Sequence, residues 1–224
     1  MALILNIETS TKNCSVCLAK DGNVLLLKEL NDGNYSHAEK LHVLIKEVIE
    51  ESDFTKQDIN AIAVSKGPGS YTGLRIGVSA AKGLSFSLNI PLISVETLTS
   101  LAHATTIENG YIIPMLDARR MEVYSAVYDQ NYNKVRDIQA QIIDETSFSE
   151  YDDHKLYFLG DGAAKCKEVL EVKNVSFIED HFPSAKEMAQ LSYDKYKKND
   201  IEDVAYFEPF YLKDFIVTTE KKKN

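Results

Sequence analysis

The sequence runs to 224 residues, 44% of them apolar and 26% charged, a mixture that supports a packed core and excludes a disordered or membrane-embedded chain. That length suits either one large domain or two small ones. The formal charge of −9 repels phosphate, which argues against tight autonomous RNA binding by counterion release, so any nucleic acid needs a basic partner.

Strand signals at 2–7, 14–20 and 24–30, the last two joined by Asp21-Gly22-Asn23, predict a β-meander. Cys14 and Cys17 form a C-x-x-C inside the second strand, where residues three apart point to opposite faces; a structural role is favoured over redox or zinc chemistry. The cysteines number three, and no basic flank, apolar run and small-residue cleavage site opens the chain, so a reduced, cytoplasmic protein is expected. No apolar stretch approaches the roughly 20 residues that span a bilayer. Ser36 followed by Glu39 has capping-box spacing, and Leu41, Leu44, Ile45, Val48 and Ile49 then recur at helical spacing to about residue 52. A strand at 59–65, a helix at 73–88, a strand at 91–95 and a helix at 97–105 complete the order βββαβαβα.

The second half repeats it: strands at 111–116, 122–128 and 134–142, a short helix from 145, a strand at 155–159, a helix at 163–170, a strand at 175–178 and a helix at 184–197. Ile4-Leu5-Asn6-Ile7-Glu8 is matched by Ile113-Pro114-Met115-Leu116-Asp117, and the turn at Asp21 by Asp129-Gln130-Asn131. Duplicated βββαβαβα units resemble the two-lobed actin-like (ASKHA) ATPase fold of actin, Hsp70 and sugar kinases, an α/β architecture that does not by itself decide function. The expected lobes are 1–108 and 109–207, divided near Glu108-Asn109-Gly110, with a tail at 208–224 running back over the first lobe. Lys221-Lys222-Lys223 within that tail reads as a solvated terminus.

The loop Gly67-Pro68-Gly69-Ser70-Tyr71-Thr72, followed by Gly73, Leu74 and Arg75, lies between a buried strand and a helix, where backbone N–H groups could meet an anion. Its spacing matches neither G-x-x-x-x-G-K-[ST] nor G-x-G-x-x-G, and a tight turn with glycines at positive φ explains it equally well. In the helix that follows, Gly73, Gly77 and Ala81 come four apart and leave a ridge poor in side chains. Such a ridge admits close approach, either by the home sheet or by a helix of another molecule.

Ile7-Glu8-Thr9-Ser10, the run from Ser65 to Lys82, Met115 through Arg120, and Pro209-Phe210-Tyr211-Leu212-Lys213 together resemble the TsaB (YeaZ) family over almost the whole chain. The resemblance implies a cytoplasmic, non-catalytic subunit that pairs with its paralogue TsaD. TsaD transfers threonylcarbamoyl to adenosine in tRNAs reading A-starting codons, with TsaE hydrolysing ATP. It further implies that the first-lobe helices form the TsaD interface, and a homodimer when the partner is absent. On that basis Gly73, Gly77, Ala80, Ala81, His37 and Leu41 are expected at the interface, with tRNA reached only through the complex, and with ATP and metal on the partner subunits.

The residues also argue against autonomous catalysis. His37 and His42 are five apart, which sets them about 140° apart around a helix, so they cannot share one ion; solvated helix residues are expected instead. His103, His154 and His181 lack neighbours at ligand spacing. The superfamily's two phosphate hairpins pair an acid with glycine, but here Thr9 and Ser10 follow Glu8, and Ala118, Arg119 and Arg120 follow Asp117, putting Cβ atoms where phosphate would be wrapped. Arg119 or Arg120 could take an anion, a partner carboxylate or an internal one. The alternative is an independent ATP-dependent phosphotransferase or peptidase-like hydrolase using Glu8 and Asp117 as a pair across the cleft. A homodimeric scaffold without TsaD is the third possibility.

Overall fold

A computed structural model of the chain describes residues 1–213 except Asp32, Asn34, Tyr35 and Asp180. Strands β1 (Leu3–Glu8), β2 (Cys14–Lys20), β3 (Asn23–Leu30), β4 (Ala61–Gly67) and β5 (Leu92–Glu96) form one sheet in the order β3-β2-β1-β4-β5. The meander is antiparallel, and β4 and β5 join it in parallel. Strands β6 (Tyr111–Asp117), β7 (Glu122–Asp129), β8 (Lys134–Ile142), β9 (Leu156–Leu159) and β10 (Val175–Ile178) form the second sheet, which reads β8-β7-β6-β9-β10 from its far edge. The two orders are the same, as the duplicated sequence pattern predicts.

Helices α1 (His37–Glu50) and α2 (Tyr71–Leu88) cover one face of the first sheet. Leu41, Leu44, Ile45 and Val48 of α1 enter a core with Leu5, Ile7, Val16, Ile62 and Val64. Each such side chain contributes about 1.5–3 kcal/mol by leaving water. Helix α3 (Thr97–Ala102) buries Leu98 and Leu101 against Ile112, Leu116 and Leu159 of the second sheet. Helix α4 (Ala163–Cys166) joins the other face of that sheet, and α5 (Met188–Lys197) seats Met188 on Ile4, Ala63 and Ile93 of the first. Across the expected boundary, α5 packs on the first sheet, and α3 contacts β4 and β5 while its apolar side chains enter the core of the second sheet.

Local differences from the sequence expectation have simple causes. The Ser36 side chain makes no cap hydrogen bond, because Ser36 has φ −88° and ψ 15°, not the extended geometry a capping box needs. A capping box forms instead at Thr55 and Asp58, around a single 3-10 turn. From 145 the chain makes only turns and a 3-10 segment at Ser149–Tyr151, and the helix expected at 163–170 stops at Cys166. Cys14 packs with the α1/α2 core and Cys17 with Ala185 and Ala189 on the other face, as strand alternation requires. Burial pushes the two thiols up to about 11 and about 12, so neither is poised as a thiolate.

After α5 the chain returns along β5 and then α2. Lys82 donates to the Ala205 and Phe207 carbonyls at 3.1 and 2.9 Å, and the Phe210 N–H reaches the Lys66 carbonyl at 2.7 Å. The part of the expected tail at 214–224, with Lys221-Lys222-Lys223, lies outside the described residues. Among the described residues no helix is long and apolar enough to cross a membrane.

Candidate docking groove and inter-sheet cleft

The glycine ridge of α2 faces its own chain. A Cβ on Gly73 would overlap the Thr9 carbonyl oxygen, and one on Gly77 would overlap Thr9 Oγ1. Thr9 Oγ1 donates to the Gly73 carbonyl at 2.8 Å, which locks the β1–β2 turn onto the helix. Ala81 and Leu41 are fully buried, and Ala80 nearly so. His37 is buried too, its Nε2 donating to the Thr11 carbonyl at 2.7 Å, so the expectation of a solvated histidine is corrected. Of the six residues expected to meet a partner, only Ala80 lines an open surface.

That surface is a groove of about 710 Å³ on the outward side of α1 and α2. Ala38 and His42 line it from α1, and Arg75, Ile76, Ser79, Ala80, Gly83 and Leu84 from α2. Gly83 is exposed and a Cβ there would meet nothing within 4 Å. The spacing of Gly73, Gly77 and Ala81 identifies a ridge poor in side chains but does not say whether the home sheet or another molecule takes it. The ridge at Gly73 and Gly77 goes inward because the β1–β2 turn needs backbone-close approach; the stripe through Ser79 and Gly83 is left outside.

The loop before α2 is a junction. Gly67 has φ +114° and abuts the Phe210 carbonyl, a combination that requires glycine. Ser70 N–H donates to the Ser10 carbonyl at 2.6 Å, and Ser70 Oγ caps α2 by accepting from Gly73 N–H at 3.2 Å. The Arg75 guanidinium lies 4.2 Å from the Tyr71 ring centroid, and its Nε donates to Tyr211 Oη at 3.1 Å. Tyr71 and Tyr211 stand 5.1 Å apart, ring to ring. Tyr71 and Thr72 belong both to the groove and to the larger cleft between the sheets, while Pro68, Gly69 and Ser70 line the cleft alone.

The cleft has a volume of about 1330 Å³ and is lined by Ser10, Thr11 and Lys12 from the first sheet and by Asp117, Arg119 and Arg120 from the second. Glu8 is not part of it. Its side chain is wholly buried, its Oε1 accepts the Ser10 N–H at 2.6 Å, and burial raises its carboxyl above the ordinary range against hydrogen bonds from Ser10, Ser65 and Thr9. Asp117 is ion-paired with Lys165, so the expected carboxylate pair facing across the cleft does not form. Asp161, raised chiefly by burial, accepts the Asp117 N–H at 3.0 Å. Arg119 and Arg120 adopt φ of 71° and 51°, the left-handed geometry a glycine hairpin would have. Sequence reasoning missed this, since nothing in two consecutive arginines announces positive φ. Among the described residues no three His, Cys, Asp or Glu side chains converge to hold a metal.

Comparison with known proteins adds identity to this geometry. Residues 33–221 match the family model described as TsaD: tRNA N6-adenosine threonylcarbamoyltransferase. The tRNA threonylcarbamoyladenosine biosynthesis protein TsaB of Bacillus subtilis is 31% identical over 219 residues, 94% of this chain and 93% of that protein. The tRNA N6-adenosine threonylcarbamoyltransferase of the same organism is 30% identical over 128 residues, 50% of this chain and 37% of the enzyme. YeaZ from Pseudomonas aeruginosa superposes with a TM-score of 0.82 at 24% identity, covering 95% of this chain and 100% of that one, so the fold is shared.

Proposed function

Since the chain belongs to the TsaB family of tRNA threonylcarbamoyladenosine biosynthesis proteins, we propose that it is a non-catalytic subunit that binds and supports the TsaD threonylcarbamoyltransferase. The observation that carries this reading is the uncovered groove between α1 and α2. The TsaD family match spans both helices, so the enzyme has counterparts of them, and like can pack on like around a pseudo-two-fold axis. Two helices from each partner can supply the roughly 800 Å² per side of a stable interface. The same face would form a homodimer when TsaD is absent.

Catalysis by this chain has little support. Glu8 is sealed beneath the cleft, and Asp117 is held by Lys165, so neither stands as a free base. ATP and metal belong in this reading to TsaD and TsaE, and the complex works in the cytoplasm. The docking lobe in this reading is residues 1–108, joined by α5 and by the tail up to Lys213. The test is a titration of TsaD from the same organism with wild-type chain and with Gly83→Leu and Ser79→Arg. Loss of binding in the variants, with the chain still folded, is expected; unchanged affinity in both would remove the groove from the interface.

A further inference from the structure

We infer that the cleft between the two sheets holds a single-stranded segment of the tRNA once the docking partner is in place, with Arg119, Arg120 and Lys12 as its phosphate contacts. This rests on the docking reading, because a chain of net charge −9 repels RNA when alone.

The first observation is charge. Three of the carboxylates around the cleft are ion-paired: Asp117 with Lys165, Glu122 with Lys213, and Glu179 with Lys167 at 2.8 Å, while the fourth, Asp161, accepts the Asp117 N–H and feels the charge of Lys12. Arg119 and Arg120 line the same cleft, and among the described residues neither is ion-paired with a carboxylate. A local surplus of positive charge thus sits inside an acidic protein.

The second is backbone strain at the same place. Two consecutive arginines at positive φ cost more than glycines would, and strain of this kind persists where the surroundings over-determine it. Here the turn is clamped: Arg119 N–H donates to Asp117 Oδ1 at 2.9 Å, and Lys165 Nζ donates to the Arg120 and Glu122 carbonyls at 2.8 and 2.6 Å. The clamp fixes a costly conformation whose effect is to present two guanidinium groups to the cleft. Because the Asp117 carboxylate already takes the Arg119 N–H, that backbone donor is not free for a phosphate, and the side chains must do the binding. That arrangement suits a strand tracked by its backbone better than a nucleotide wrapped by a loop.

The third is composition. Tyr124 lines the cleft within reach of the Arg119 charge, and Tyr71 and Tyr211, which pack on one another and on Arg75, line it as well. Cationic groups interleaved with aromatic rings are what unpaired bases and their phosphates require, each stacked base being held by a ring and each phosphate by a cation.

The test uses the assembled complex with TsaD and a fluorescein-labelled anticodon stem-loop RNA, titrated over a range of salt. The double variant Arg119→Gly, Arg120→Gly should bind TsaD as wild type does and melt at the same or a higher temperature. Its RNA affinity should fall about tenfold, and the slope of log K against log salt should lessen by about 1.4, two phosphates' worth for a single strand. Unchanged RNA affinity and slope in an intact complex would overturn the inference. So would a wild-type cleft that binds ATP or inorganic pyrophosphate through the two arginines while RNA binding ignores them. If TsaD does not bind the wild-type chain, the docking reading falls separately. The RNA titration is then run on the chain alone at low salt, where equal behaviour of wild type and variant would again overturn the cleft's role.

Discussion

Glu8 closes β1, and its carboxyl is interior and held by the Ser10 N–H. Burial raises its pKa in the folded chain, so the folded state binds the proton more tightly than the unfolded one. Its contribution is therefore favourable at low pH and is lost as pH rises from about 4.3, the unfolded carboxyl value, through the folded one. Glu8→Gln keeps an oxygen for Ser10 and removes the charge. Thermal melts should show it more stable than wild type at pH 7 and no more stable at pH 4; a variant less stable at both would mean that the carboxylate is needed ionised. Glycines divide in the same residue-by-residue way. Gly77→Leu forces atoms into Thr9 and should cost about 3 kcal/mol in urea unfolding. Gly83→Leu meets open space and should gain about 0.5–1 kcal/mol from helix propensity while it blocks docking. The sequence pattern marks Gly77 as a place of close approach, but whether its neighbour is internal depends on where the β1–β2 turn lies, and that turn is 60 or more residues away in the chain.

Among the elements, the strands were the most legible, because short, mostly apolar runs such as those at β1 and β4 bounded by turn residues have few other homes. Helix ends were less so. Ser36 has the right neighbour for a capping box, but the box depends on one residue's ψ, which spacing does not encode. The short helices after β8 and β9 failed for a related reason: local propensity there yields to packing of Phe148 and Cys166 into the second core. The tail is an element of the site in its own right, since Tyr211 reaches Arg75 on α2 and Lys213 reaches Glu122 on β7, tying α2 to the second sheet. Tyr211→Ala should leave the melting temperature within a few degrees of wild type but expose the tail to protease. Limited trypsin digestion followed by mass spectrometry would read this as faster cleavage after Lys213, and equal cleavage rates would show that the strap is held by other contacts.

At the scale of the whole molecule, duplication was legible from the repeated strand order and from the matching segments that end in Glu8 and Asp117. The placement of α3 and α5 was not, because an apolar helix face states that it needs a sheet without stating whose. Their placement matters for function: α3 packs on both sheets and ties them together, so the groove on α1 and α2 and the cleft between the sheets sit on one connected body that meets at Tyr71 and Thr72. Docking on the groove and occupancy of the cleft are then expected to influence one another. The most direct measurement is reconstituted tRNA threonylcarbamoylation with TsaD, TsaE and the carbamoyl donor, run with no added chain, with wild type and with Gly83→Leu, beside the chain alone with ATP. Modification should require the wild-type chain and fall at least tenfold with the variant, and the chain alone should turn over nothing. Full modification without the chain, or ATP turnover by the chain alone that disappears in Asp117→Asn, would contradict a non-catalytic docking subunit.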